Sequence, residues 1–87
     1  MAKRVIDKYS QQGVVITFHT TTDAMAAREA AESGVPELEG RMIPVPRKLS
    51  AGCGLAWLVN EHGQADVCAV LARLGLDYER VVPVDQL

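Results

Sequence analysis

The chain has 87 residues, of which 48% are hydrophobic and 23% charged, with a formal net charge of −2. That is enough chain for one small two-layer core and too little for two domains, and the slightly acidic balance supplies no positive field for nucleic acid. No apolar run approaches the ~20 residues of a membrane helix, and the basic start MAKR has no apolar stretch behind it, so the expected setting is cytoplasmic, without a membrane span or secretory leader.

Residues 1–13 read as a polar arm without clear period, and residues 14–87 as the domain. Val14 to His19 is β-branched and aromatic with no breaker, which predicts a strand. Val14, Ile16 and Phe18 would share one face, and Val15, Thr17 and His19 the other. A threonine of the run Thr20–Thr22 can cap a following helix, with Asp23 in its first turn. In that helix Ala24, Ala27, Arg28 and Ala31 share a side, with Met25 at its edge, and Gly34 and Pro36 end it. Arg41–Pro46 and Leu55–Asn60 read as the strands of a hairpin. Pro44 and Pro46 are two apart, so their missing N–H groups lie along one side, which predicts an edge strand.

Val67, Val70, Leu71 and Leu74 form a stripe at helical spacing, ended by Gly75. Tyr78–Val84 is the last strand. The order β-α-β-β-α-β predicts an α+β, ferredoxin-like fold: a four-stranded antiparallel sheet in spatial order 4-1-3-2, with two helices on one face. LAWLV, the third strand, is apolar on both faces, so the helix-free face should be covered by the arm or by a second subunit; a homodimer is expected.

This topology gathers three features at one end of the sheet: the HTTTD turn, the N-terminus of the first helix and the hairpin containing SAGCG. Cys53 sits there between Gly52 and Gly54. A helix N-terminus, exposed N–H groups, Arg47, Lys48 and His19 would all favour thiolate over thiol, and the thiolate is the nucleophile. The glycines leave room for close approach and offer N–H groups to an anion. Each residue also has an ordinary reading. Cys53 can be a small residue in a glycine turn, Thr20–Thr22 a cap, Asp23 a first-turn charge, and Arg47 and Lys48 solvated hairpin charges. His19 can orient or deprotonate Cys53, or simply bond the threonines. Cys68 flanks the second helix's stripe and reads as core, and His62 falls at the opposite end. Two cysteines cannot complete a zinc site alone, and a reducing compartment argues against a disulfide between them.

The stretches VVITFHTTTDAM and MIPVPRKLSAGCGLA resemble the selenium/sulfur carrier protein-like family, over about residues 14–85. The matching pattern is Phe18, His19, Thr20, Thr21, Asp23 and Ala24, then Ile43, Pro44, Pro46 and Arg47, then Ser50 through Gly54. The resemblance implies a carrier that holds sulfur or selenium on Cys53 as a persulfide or selenylsulfide, with Ser50, Gly52, Gly54, His19, Thr20, Thr21 and Arg47 around it. It implies a donor such as a cysteine desulfurase or selenocysteine lyase, and an acceptor enzyme. The chain would be a relay component and not a self-sufficient enzyme, with no cofactor called for.

A different class remains open on the residues alone. The same turn and loop can form an anion or small-ligand site of a regulatory or interaction module, with Cys53 incidental. Metal delivery is weaker, because one cysteine in the loop falls short of the usual pair. Nucleic-acid binding is weaker still, on charge.

Overall fold

The computed structural model describes residues 13–49 and 54–87; the arm over residues 1–12 and hairpin residues 50–53 lie outside them. The described chain forms strand β1 (Val14–Thr17), helix α1 (Thr21–Glu32), β2 (Gly40–Pro44), β3 (Leu55–Val59), helix α2 (Gln64–Leu74) and β4 (Arg80–Pro83). The strands make one sheet in the order β2-β3-β1-β4. Every neighbouring pair is antiparallel. The architecture is therefore α+β with the expected strand order. The strands are shorter than the sequence predicts: β1 stops at Thr17 and β2 at Pro44, and the last strand begins at Arg80.

Both helices cover one face. Ala24 and Ala27 of α1 and Val67, Val70 and Leu71 of α2 pack on Val14, Ile16, Phe18, Trp57, Val59 and Val81. Alanines let α1 approach closely. Arg28, expected on the packed side, instead points outward and pairs with Glu32 one turn on, at 3.0 Å, and Leu74 is likewise exposed. Both lie at the margin of an apolar stripe, where sheet twist decides contact. Gly75, with a left-handed backbone at φ 69°, ends α2, its N–H and that of Leu76 returning to Ala72 and Leu71.

One of two 3-10 turns among the described residues, at Pro36–Leu38, has no signal in the sequence. It turns Leu38 fully into the core. The Trp57 indole N–H donates to the Leu38 carbonyl at 2.8 Å, so the ring is both packed and satisfied.

The prolines sit as their spacing requires. Val45 N–H donates to the Gly54 carbonyl and Asn60 N–H to the Glu39 carbonyl, and these positions are directly opposed in the β2–β3 register. Odd-numbered residues of β2 therefore bond toward β3, and Pro44 and Pro46 face the open edge. On the far edge Val84 N–H bonds inward to Gly13, so Pro83 faces outward too. Both edges withhold N–H donors from another strand. No helix among the described residues is long and apolar enough to cross a membrane.

The helix-free face is apolar as well. Val15, Ala56 and Leu58 are buried there with Ile43 and Leu49, and Val45, Val82, Val84 and Leu87 pack partly over them.

Candidate functional site: the sheet end beneath the glycine hairpin

Take the direction of β1 as upward. β1 ends at Thr17, and α1 starts at the top four residues later. β2 also runs upward and β3 downward, so the loop joining them is at the top. Beyond the last β1–β3 pair, Thr17 with Ala56, the second residue outward is His19 on one strand and Gly54 on the other. The residue before Gly54 is Cys53.

Thr20 is the helix N-cap. Its backbone is extended and its Oγ1 accepts the Asp23 N–H at 3.1 Å. This satisfies one of the donors a helix start leaves open. Asp23 adds a carboxylate to the first turn, which offsets part of the positive end of the helix dipole. The field offered to a thiolate here is thus weaker than a bare helix end would give. His19 and Thr21 are both exposed at this end.

The entry to the hairpin is anchored. Leu49 N–H donates to the Pro46 carbonyl at 2.9 Å, closing a tight turn over Pro46–Leu49. Leu49 is buried on the helix-free face. The turn displays Arg47 and Lys48 to solvent. Lys48 does not add its charge to the loop freely, because its Nζ donates to the Leu87 carbonyl at 2.9 Å. Arg47, also exposed, has no such tether among the described residues. Gly54 is exposed, with no atom of the described residues within 4 Å of where a Cβ would stand. Of the expected site, His19, Thr20, Thr21, Arg47 and Gly54 fall at this end of the sheet. Cys53, Ser50 and Gly52 lie outside the described residues.

The other cysteine belongs elsewhere. Cys68 is half-buried in the middle of α2, packed against the helix-side core. It neighbours Tyr78, whose pKa is raised, first by its hydrogen bond to Cys68, then by the charge interaction with that thiol and by burial. Tyr78 precedes β4, whereas the hairpin joins β2 and β3 across the sheet. This contact, the Lys48 tether and the Leu49 anchor were not read from the sequence. Leu49 alone carried a signal, as the one large apolar residue in RKLSAGCG.

A family model described as "Putative Se/S carrier protein-like" matches residues 13–83. The chain belongs to this Se/S carrier protein-like family. No curated protein and no solved structure gives a match. The Se/S carrier-like match starts at Gly13, the buried residue at the foot of β1, and includes the whole hairpin. It stops at the end of β4, before the Val84–Gln86 turn and Leu87.

Proposed function

We propose that the protein carries sulfur or selenium on Cys53, as a persulfide or selenylsulfide, between a donor and an acceptor enzyme. Family membership supports the cargo class. The observation that carries the assignment to Cys53 is the meeting of the hairpin's closing pair, Val45 with Gly54, and the start of α1 at one end of the sheet. We read the arrangement as ferredoxin-like, with the top of the sheet as its working end and a reducing, cytoplasmic setting.

The chemistry needs little beyond a reachable thiolate. Cys53 thiolate attacks the outer sulfur of a donor persulfide. A new S–S bond forms at Cys53, the donor's S–S bond breaks, and the donor leaves as its thiolate. The acceptor's nucleophile then attacks that same outer sulfur and Cys53 leaves as thiolate. No net oxidation or reduction of the carrier occurs. Selenium follows the same path as the outer atom. Arg47 supplies positive charge at the loop, and His19 is within the same end of the sheet to steady the anion. Glycines on either side of Cys53 in the sequence allow close approach of a donor, and Thr20 and Thr21 supply polar groups at the same end of the sheet.

A donor such as a cysteine desulfurase or selenocysteine lyase fits this role. The test is a sulfane assay: incubate the protein with a cysteine desulfurase and cysteine, remove small molecules, and measure cyanide-labile sulfur. The parent and Cys68→Ser should carry it and Cys53→Ser should not. Equal labelling of Cys53→Ser would remove the assignment. An anion-binding module would retain its ligand in Cys53→Ser, which separates the two readings.

A further inference from the structure

The helix-free face carries an apolar groove of about 460 Å³, lined by Val15, Ile43, Val45 and Pro46 with Val84 and Leu87. Its lining among the described residues is wholly Val, Ile, Leu and Pro, which suits an apolar occupant. We propose that the chain's own residues 1–12 occupy it, with Val5, Ile6 and Tyr9 as the side chains that enter.

The point of attachment supports this. The segment joins the sheet at Gly13, whose carbonyl accepts the Val84 N–H at 3.0 Å, and Val84 lines the groove. The segment is therefore delivered to the groove's border. Its length suffices: 12 residues span up to about 40 Å extended, or about 18 Å as a helix. Tyr9, four residues before Gly13, reaches about 14 Å. Its composition fits, since Val5, Ile6 and Tyr9 stand among Lys3, Arg4, Asp7, Lys8 and Ser10, giving an apolar cluster with polar flanks.

The match over residues 13–83 leaves out both the amino-terminal segment and residues 84–87. Val84 and Leu87, beyond the matched range, line the groove, and Val84 bonds to Gly13, the first matched residue. A second copy of the chain is the poorer occupant. Pro44 and Pro46 withhold N–H groups from the edge beside the groove, which disfavours a copy that adds a strand there. The seated segment would pack under Val45 and Pro46, where β2 enters the Cys53 hairpin, and so brace the base of that loop.

The experiment uses the full chain with labelled methyl groups in an equal mixture of isotope-labelled and unlabelled protein. Contacts from the Val5 and Ile6 methyls to those of Val15, Ile43, Val45, Val84 or Leu87 within one molecule are expected. Absence of such contacts, or contacts arising only between molecules, overturns the proposal, the latter in favour of a second copy. Ile6→Asp should abolish the contacts and raise the fluorescence of 1-anilinonaphthalene-8-sulfonate several-fold, while the β1–β3 amides stay protected from exchange. Unchanged groove methyl shifts and dye fluorescence in Ile6→Asp overturn it equally.

Discussion

The substitution Trp57→Phe tests how the core holds β3, the strand that begins immediately after Gly54. Trp57 is 4% exposed, and its indole N–H is bonded to the carbonyl of the fully buried Leu38. Phenylalanine keeps an aromatic ring but removes the donor, leaving a buried carbonyl without that partner, at about 1–3 kcal/mol. The smaller ring also forfeits packing worth about 1 kcal/mol. Together the expected loss is about 2–4 kcal/mol, out of a total of about 4–13 kcal/mol for a domain of this length. The thermal midpoint should fall by roughly 10–25 °C. The assay is urea unfolding followed by far-ultraviolet circular dichroism, because Trp57 is the only tryptophan and its fluorescence is lost in the variant. The denaturant slope should be unchanged, since the same surface is exposed on unfolding. Met25→Ala, at a residue 42% exposed, is the control and should stay within about 0.5 kcal/mol. A Trp57→Phe loss no larger than the control's would refute the reasoning that the Leu38 turn is pinned through this hydrogen bond.

Thr20→Ala removes the side-chain acceptor of the Asp23 N–H and should cost about 1 kcal/mol in urea unfolding, with Thr20→Ser restoring most of it; equal loss in both variants would argue against a capping role. Replacing Pro44 and Pro46 together by valine adds two outward N–H groups to the β2 edge, and light scattering should show concentration-dependent association absent from the parent; no change would mean the prolines do not protect that edge. The raised pKa of Tyr78 means that the folded state favours the neutral phenol. Its stabilising contribution is present below the ordinary tyrosine value of about 10 and is lost as pH rises through the raised folded value. Alkaline unfolding should therefore be milder in Tyr78→Phe, and in a Tyr9→Phe background Cys68→Ala should bring the ultraviolet titration of Tyr78 back down; an unmoved titration would rule out the Cys68 contact as its cause.

Much of the fold is legible in the sequence because its signals are local and agree. The period-two run at Val14–Phe18, the alanine-rich α1, the Val67–Val70–Leu71 stripe and the glycine at position 75 each specify an element, and four strands with two helices in that order leave few topologies. The two prolines carried long-range information, since donors missing from alternate positions of one strand identify its open side. What was not legible depends on tertiary contact. The Leu38 turn has no periodicity, and its role exists only because Trp57 reaches its carbonyl from another strand. The outward turn of Arg28 and the exposure of Leu74 follow from how far each helix overlaps the sheet. At the candidate site, the gathering of His19, Thr20, Arg47 and Gly54 at one end follows from topology, whereas the diversion of Lys48 to Leu87 joins residues 39 apart and could not be read from the hairpin sequence. Asp23 was visible as a first-turn charge, but its consequence for a nearby thiolate emerges only once the helix start and hairpin share an end.

In the proposed role one atom, the sulfur of Cys53, accepts the cargo. The most direct measurement is intact and fragment mass after incubation with a cysteine desulfurase and cysteine, or a selenocysteine lyase and selenocysteine. A gain of one sulfur or one selenium atom is expected, located on the peptide containing Ser50–Gly54 and absent from Cys53→Ser. Cargo found on the Cys68 peptide, or no gain with either donor while a control carrier is loaded, would contradict it.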